Sequence, residues 1–419
     1  MGMTMAEKAL ARASGSDVVQ AEEFVTAEID ILMGHDLSFF AGYQVMIENG
    51  YDKVWDPDKV VVIIDHAVPA PNIRYAEAHR KIREYVQSQN IENFYDTGVG
   101  VCHQVLPEKG HALPGRLIVG GDSHTTTYGA LGVASCGIGI SDLAYAMAKG
   151  SLWFMVPETI RFILNGTLPK GVSAKDIMLK IAGQYTAEVA QYKAVEFTGP
   201  AAKALSIDGR MTISNMGVEI GAKFAFFETD DKTLAYLKTR TDQSVEPFGP
   251  DPDARYLEEY EIDVSSLEPQ IACPHNVDNV KPVSEIGEVS VQQAVLGSCT
   301  NARVEDLERA AAILKGKSVN PGTRLLVIPA SREINTQIAK SGIIQTILEA
   351  GALIAPPSCG SCGGGMGVLA PGETAISSTN RNFKGRMGSP ESFVYLGSPE
   401  TVAASAIEGK IADPRKYVS

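Results

Sequence analysis

Cys359 and Cys362 stand three positions apart in Pro357-Ser358-Cys359-Gly360-Ser361-Cys362-Gly363-Gly364-Gly365, a loop with almost no side-chain bulk around its thiols. Glycine supplies the positive φ angles and close backbone approach that a ligand loop needs. The apolar run Ala352-Leu353-Ile354-Ala355 leads into the loop like a buried strand, so the thiols are expected where a strand ends. A lone C-x-x-C fits half of a structural zinc site, a thioredoxin-type redox pair or part of an iron–sulfur cradle. The choice falls to the remaining cysteines, Cys102, Cys136, Cys273 and Cys299.

Three other stretches place proton-handling side chains after apolar runs. Val60-Val61-Val62-Ile63-Ile64 reads as a strand buried on both faces and ends in Asp65-His66; Gly98-Val99-Gly100-Val101 leads to Cys102-His103-Gln104; Leu117-Ile118-Val119-Gly120-Gly121 ends in Asp122-Ser123-His124. Ligands of open α/β sheets bind beyond the carboxyl ends of the strands, so this placement is the one catalysis would use. His35, in Asp30-Ile31-Leu32-Met33-Gly34-His35-Asp36, is a further candidate, and Asn215 to Glu219 carries another polar set. Cys273-Pro274-His275 could bind metal but has a proline between its donors and no partner pair nearby.

The elements that must hold these residues follow from periodicity. Helices are expected at Met5–Ala13, Tyr75–Gln87, from a Ser141-Asp142 cap to Lys149, at Val304–Leu314, and from Arg332 to Ala350 behind a Ser331 cap. Residues 158–243 alternate strand and helix patterns, with Ser214 as a routine helix cap, and Thr241 to Pro282 is a proline-rich acidic connection with few elements of its own. The last third reads as strand–loop–helix units, including a strand Leu325–Ile328. Its loops carry Gly297-Ser298-Cys299-Thr300-Asn301, the Cys359/Cys362 pair, and Asn380-Arg381-Asn382-Phe383-Lys384-Gly385-Arg386. All leave strand ends of one domain, so three thiolates and two arginines can converge.

Composition bounds the reading. The chain has 419 residues, 44% hydrophobic, with 40 glycines and 22 prolines, which is enough for two or three domains with real cores. No apolar run reaches the ~20 residues of a membrane span, and the cytoplasm is the expected location. A net charge of −13 disfavours nucleic acid or an anionic membrane as the main partner. Six cysteines in such a chain point to ligands or buried thiols rather than disulfides.

Three thiolates are too few to close a structural zinc site. On a 4Fe-4S cluster they would leave one iron open as a Lewis acid. Arginines are fork-shaped clamps for carboxylates, and the Asp65/His66 and Asp122/Ser123/His124 sets are what proton transfer needs. The residues thus describe a lyase acting on a hydroxylated dicarboxylic acid.

Taken together, Asp65-His66, Val101-Cys102-His103-Gln104, Gly121-Asp122-Ser123-His124-Thr125, Asn215-Met216-Gly217-Val218-Glu219, Gly297-Ser298-Cys299-Thr300-Asn301, Cys359-Gly360-Ser361-Cys362 and Asn380 to Arg386 resemble the aconitase family over nearly the whole chain. The resemblance implies an α/β core of three doubly wound domains around a cluster cleft, divided at 1–157, 158–285 and 286–419. It implies a 4Fe-4S cluster on Cys299, Cys359 and Cys362 with one iron lacking a cysteine ligand, bordered by Asn301 and Asn380. The catalytic set becomes Asp65, His66, His103, Asp122, Ser123, His124 and Glu219, working as the acid–base pairs Asp65/His66, His103/Asp122 and His124/Glu219. His66 is the expected donor to the leaving hydroxyl. Substrate falls to His35, Thr127, Asn215, Arg381 and Arg386.

Two departures locate the chain within the family. A full-length aconitase continues into a swivelling fourth domain with the serine base, whereas this sequence stops at Ser419; and Thr127 and His35-Asp36 stand where citrate aconitases have asparagine and a glutamine–aspartate pair. Both resemble the isopropylmalate dehydratase and homoaconitase branch, which implies a separate small subunit bearing the swivelling domain, a di- or tricarboxylate substrate, and a role in leucine biosynthesis. An iron-sensing RNA binder is opposed by the acidic charge, and a catalytically inert metal scaffold is the remaining alternative. Asp65, His66, Asp122 and His124 are expected to be solvent-accessible in the isolated chain.

Overall fold

A computed structural model describes residues 2–418, and the chain gathers into two compact units. The first comprises Met1–Thr97, Val105–Asn165 and Ala190–Ile262; the second comprises Gly98–Gln104, Gly166–Val189 and Asp263–Ser419.

The first unit is built on a five-stranded parallel sheet in the order Phe94–Tyr95, Val60–Ile63, Ile31–His35, Leu117–Gly120, Ala134–Gly137. Val60–Ile63 is buried along its whole length, as a β-branched run between two helical layers should be. The chain builds outward from Ile31–His35 in one direction, then returns to its other side with Leu117–Gly120, and the carboxyl ends at such a reversal are where doubly wound sheets bind ligands. Helices Asp36–Glu48 and Ile73–Gln89 flank the sheet, the latter between an Asn72 cap and Asn90 in the left-handed region. A second sheet, Phe224–Phe227, Ala194–Thr198, Thr159–Asn165 and Glu258–Asp263, and an antiparallel ribbon of Phe24–Glu28 with Ser151–Met155 complete the unit.

The second unit carries a seven-stranded sheet in the order Val280–Pro282, Gln270–Ala272, Phe393–Leu396, Thr374–Ser377, Gln293–Gly297, Arg324–Ile328, Leu353–Ile354. The last five are parallel and repeat the ordering of the first unit, with the reversal between Gln293–Gly297 and Thr374–Ser377. The α/β doubly wound architecture is therefore the one the sequence describes.

Several local expectations are corrected. Leu353–Ile354 is an edge strand with Leu353 exposed, because nothing pairs beyond it in the sheet. The long helix after Ser331 is two helices, Arg332–Lys340 and Ile343–Glu349, broken where Gly342 takes φ +79°. The helix Ile140–Lys149 starts from Gly139, which puts Ser141 and Asp142 inside its first turn, and Ser214 lies within Ile207–Met216, capped by Ser206. The proline-rich connection contributes three strands, Glu258–Asp263, Gln270–Ala272 and Val280–Pro282.

Candidate active site

In the first unit His35, Asp36, Asp65, His66, Asp122, Ser123 and His124 collect at the carboxyl ends of three adjacent strands. His66 Nδ1 lies 2.7 Å from Asp65 Oδ1 and Nε2 lies 3.4 Å from Asp122 Oδ2. Burial pulls its pKa down, but the Asp65 and Asp122 carboxylates overcome this and push it well above the ordinary value, toward the imidazolium. The ring of His35 stacks on it at 3.8 Å. His35 Nδ1 accepts from the Leu37 amide at 3.3 Å, which leaves Nε2 to donate to the Gly121 carbonyl at 3.1 Å. Burial, then the neighbouring His66, pushes its pKa down to about 4. The proton affinities of the two stacked imidazoles are thus pushed in opposite directions.

Asp36 sits beneath both. Its Oδ1 accepts from the amides of Asp65 (3.2 Å) and His66 (2.9 Å), and its Oδ2 from the Ala67 amide (2.9 Å) and His79 Nε2 (3.1 Å). Burial opposes its charge, yet His79 and the other donors hold it well below the usual carboxylate range. Ligand atoms of His35, Asp36, Asp65 and His66 all lie within 4.8 Å of one another, the spacing of a cation site. With His35 Nδ1 occupied by the Leu37 amide and both Asp36 oxygens engaged, the group is a closed hydrogen-bonded network rather than an open coordination shell.

His124 Nε2 lies 2.8 Å from Glu219 Oε1, while its backbone amide donates to Asp122 Oδ1 at 2.8 Å and Ser123 Oγ stands 3.5 Å from Nδ1. Behind this turn the Thr127 hydroxyl donates to the His124 carbonyl at 2.6 Å and accepts from Asn215 Nδ2 at 2.9 Å, both residues fully buried. Gly137 backs the turn so closely that an added Cβ would come within 2.6 Å of the Asp122 carbonyl oxygen. The expected accessibility is not found: Asp65 is 0% and His124 4% exposed, and His66 and Asp122 are only partly open. Carboxylates and imidazoles that satisfy one another need no water, so they can sink below the surface.

In the second unit Cys299 follows Gln293–Gly297 through Ser298 at φ +69°, while Cys359 caps a single turn, Gly360–Gly363, and Cys362 lies within it. All three thiols are buried. The Asn380 amide lies between two of them, its Oδ1 3.2 Å from Cys362 Sγ and its Nδ2 3.8 Å from Cys299 Sγ, and it also donates to Thr300 Oγ1 at 2.9 Å. Arg386 reaches Cys362 Sγ at 3.4 Å and lies over the Phe383 ring. Arg381 shares that loop, and Asn301 Nδ2 donates to Asp306 Oδ1 at 2.9 Å. His103, buried, begins the helix Cys102–Glu108.

Sequence reasoning missed the residues that grip these loops. Arg303, 1% exposed, donates to the Cys299 carbonyl at 2.6 Å, the Thr300 carbonyl at 2.8 Å and Gln104 Oε1 at 2.8 Å. Fully buried Lys175 donates to the carbonyls of Ser378 at 2.6 Å and Thr379, just ahead of Asn380. His79 was missed too, being one histidine inside a long surface helix; Asp36, next to His35 at a strand end, was the visible signal.

Comparison with known proteins gives a match to the aconitase family (aconitate hydratase) over residues 9–409. The chain belongs to the aconitase family. A relative from Methanopyrus kandleri, 3-isopropylmalate dehydratase large subunit 1, is 52% identical over 100% of both chains. One from Methanosarcina mazei, named "Probable methanogen homoaconitase large subunit", is 49% identical over 93% of this chain and 99% of its own. The solved structure of Thermococcus kodakaraensis aconitase X (holo-form) covers 92% of this chain and 94% of its own at 12% identity and a TM-score of 0.49, too distant a likeness to bear on function.

Membership makes the chain a hydro-lyase and implies a 4Fe-4S cluster, and the donors present fit one. Three buried sulfurs from two loops supply soft ligands, and the Asn380 amide and Arg386 guanidinium point hydrogen-bond donors at sulfur, as a negatively charged metal–sulfur centre requires. Glycine at 363 leaves room beside Cys359, since an added Cβ would stand 3.6 Å from its Sγ.

Proposed function

We propose that this chain is the large subunit of a 3-isopropylmalate dehydratase, working in the cytoplasm with a small subunit that carries the swivelling domain and its serine base. Cys299, Cys359 and Cys362 hold the cluster, bordered by Asn301 and Asn380. When bound, the cluster supplies an iron without a cysteine ligand, a Lewis acid for the substrate hydroxyl and carboxylate.

The observation that carries the chemistry is His66 set between two carboxylates, Asp65 at 2.7 Å and Asp122 at 3.4 Å, which favour its protonated form. A protonated ring whose Nδ1 is fixed by a carboxylate presents Nε2 as a general acid, and it gives that proton to the departing hydroxyl of a 2-hydroxy dicarboxylate. The partner's base takes the proton from the neighbouring carbon, and return of water to that carbon completes the isomerisation. Family membership supports reading the hydrogen-bonded His124/Glu219 pair, His103 and Asp122 as further proton carriers, Arg381 and Arg386 as ligands of a substrate carboxylate, and Ser123, His35, Thr127 and Asn215 as substrate-binding residues. Relatives named for homoaconitase make that the second reading, with homocitrate in place of isopropylmalate.

The test is an anaerobic assay of the reconstituted chain, alone and with the small subunit of a related dehydratase, on 3-isopropylmalate and on homocitrate. The chain alone should be silent and the pair should turn over isopropylmalate. Appreciable turnover by the chain alone would reject the two-subunit reading, and a preference for homocitrate would reject the substrate.

A further inference from the structure

We propose that Asp36 and His79 are a positioning pair that sets the orientation and proton affinity of His66 from behind, an inference that rests on reading His66 as the acid. Asp36 opens the helix Asp36–Glu48, but its carboxylate, 1% exposed, turns away from that helix onto three consecutive amides of the loop after the next strand. Successive backbone N–H groups converging on one anion form a nest, and here the nest is the turn that carries Asp65 and His66. Each oxygen takes two donors, so the carboxylate fixes the turn in one conformation. His79, from the middle of Ile73–Gln89 and 3% exposed, fills the fourth donor position.

Orientation and charge come together. Asp36 Oδ1 lies 4.0 Å from His66 Nδ1, so its charge adds to those of Asp65 at 2.7 Å and Asp122 at 3.4 Å in favouring the imidazolium, against the stacked His35. The titratable groups facing Asp36 in turn are His79, His66 and His35. The His79 N–H offsets part of the Asp36 charge.

Asp36→Asn and His79→Leu should therefore act in opposite directions. Asparagine keeps the size but removes the charge and turns one acceptor into a donor facing two other donors, which lowers the His66 pKa. Leucine leaves the Asp36 charge uncompensated, which raises it. A general acid must be protonated, so activity falls as pH rises through its pKa. The alkaline limb of kcat should move to lower pH by about one unit in Asp36→Asn, with kcat down about tenfold, and to higher pH by about half a unit in His79→Leu. His79→Gln, which keeps a donor, should stay near wild type.

Two measurements separate the possibilities. Titration of 15N-histidine-labelled apo chain reads the His66 pKa with no cluster, partner or turnover involved, and the assembled enzyme gives the pH profile. Equal His66 pKa values in the three variants, or shifts of the same sign, would overturn the proposal; if Asp36→Asn does not fold, the His79→Leu and His79→Gln pair decides. A His66→Gln enzyme that keeps full kcat would reject the acid reading itself, whatever the titration gives.

Discussion

At Arg381 the choice between two cations is a matter of shape. A guanidinium makes two parallel charge-assisted hydrogen bonds to a carboxylate, whereas an ammonium is a compact point charge. If that second bond contributes the ~1.5–3 kcal/mol of a hydrogen bond to a charged group, Arg381→Lys in the assembled enzyme lowers kcat/KM by roughly ten- to a hundredfold while iron content stays the same. A loss below about twofold would place Arg381 outside the substrate site. For the thiols, Cys359→Ser leaves two sulfurs, and anaerobically reconstituted protein should lose the brown chromophore and its iron; stoichiometric zinc with an unchanged spectrum would sink the cluster assignment. These residues were legible because each belongs to a short local run with unusual chemistry. Lys175 and His79 were not, since the acceptors that mark a buried donor lie far away in the sequence, Lys175 and Ser378 being 203 positions apart; Arg303 has local carbonyls at Cys299 and Thr300, but its Gln104 partner is 199 positions away.

Among the elements, strands built from continuous β-branched runs and helices with good caps came out close to expectation, Met5–Ser14 behind its Thr4 cap among them. The misplaced helix boundaries share a cause: what ends or caps a helix is often a backbone angle that no periodicity reveals. Gly342 is the clearest instance, since the apolar pattern runs through the break and only φ +79° stops the helix. An alanine there would meet no atom within 4 Å, so Gly342→Ala should cost about 1 kcal/mol from backbone strain alone, with Gly342→Asn costing less. Chemical denaturation of the apo chain measures it, and an unchanged midpoint would mean that the helices have fused. Glu196 shows how burial couples elements. It accepts from the Met5 amide and the Tyr256 hydroxyl, both at 2.8 Å, tying the first helix, Met5–Ser14, to the strand Ala194–Thr198.

For the molecule as a whole, that carboxyl gives stability a pH dependence of a defined sign. Burial pushes the Glu196 pKa up to about 7. Its unfolded value is near ~4.3, so the folded state holds a proton that the unfolded chain releases, and stability falls as pH rises from ~4.5 to ~7 before levelling. Glu196→Gln removes this dependence. Between pH 5 and 8 the variant should therefore gain on the wild type by on the order of 2–3 kcal/mol in unfolding free energy. A constant difference between the two proteins across that range would show that the carboxyl stays ionised.

The threading of the chain has a consequence for its synthesis. Gly98–Gln104 belongs to the second unit, where the Val101 amide donates to the Ala330 carbonyl at 2.9 Å, the Arg332 amide to the Val99 carbonyl at 2.8 Å, and the Arg332 side chain to the Gly98 carbonyl, 234 residues away. A ribosome adding ~5–20 residues per second leaves these backbone groups without their partners for roughly 10–50 s. Throughout that interval the backbone groups of Gly98, Val99 and Val101 wait without these partners, so this segment should be the more open to proteases and chaperones on the nascent chain.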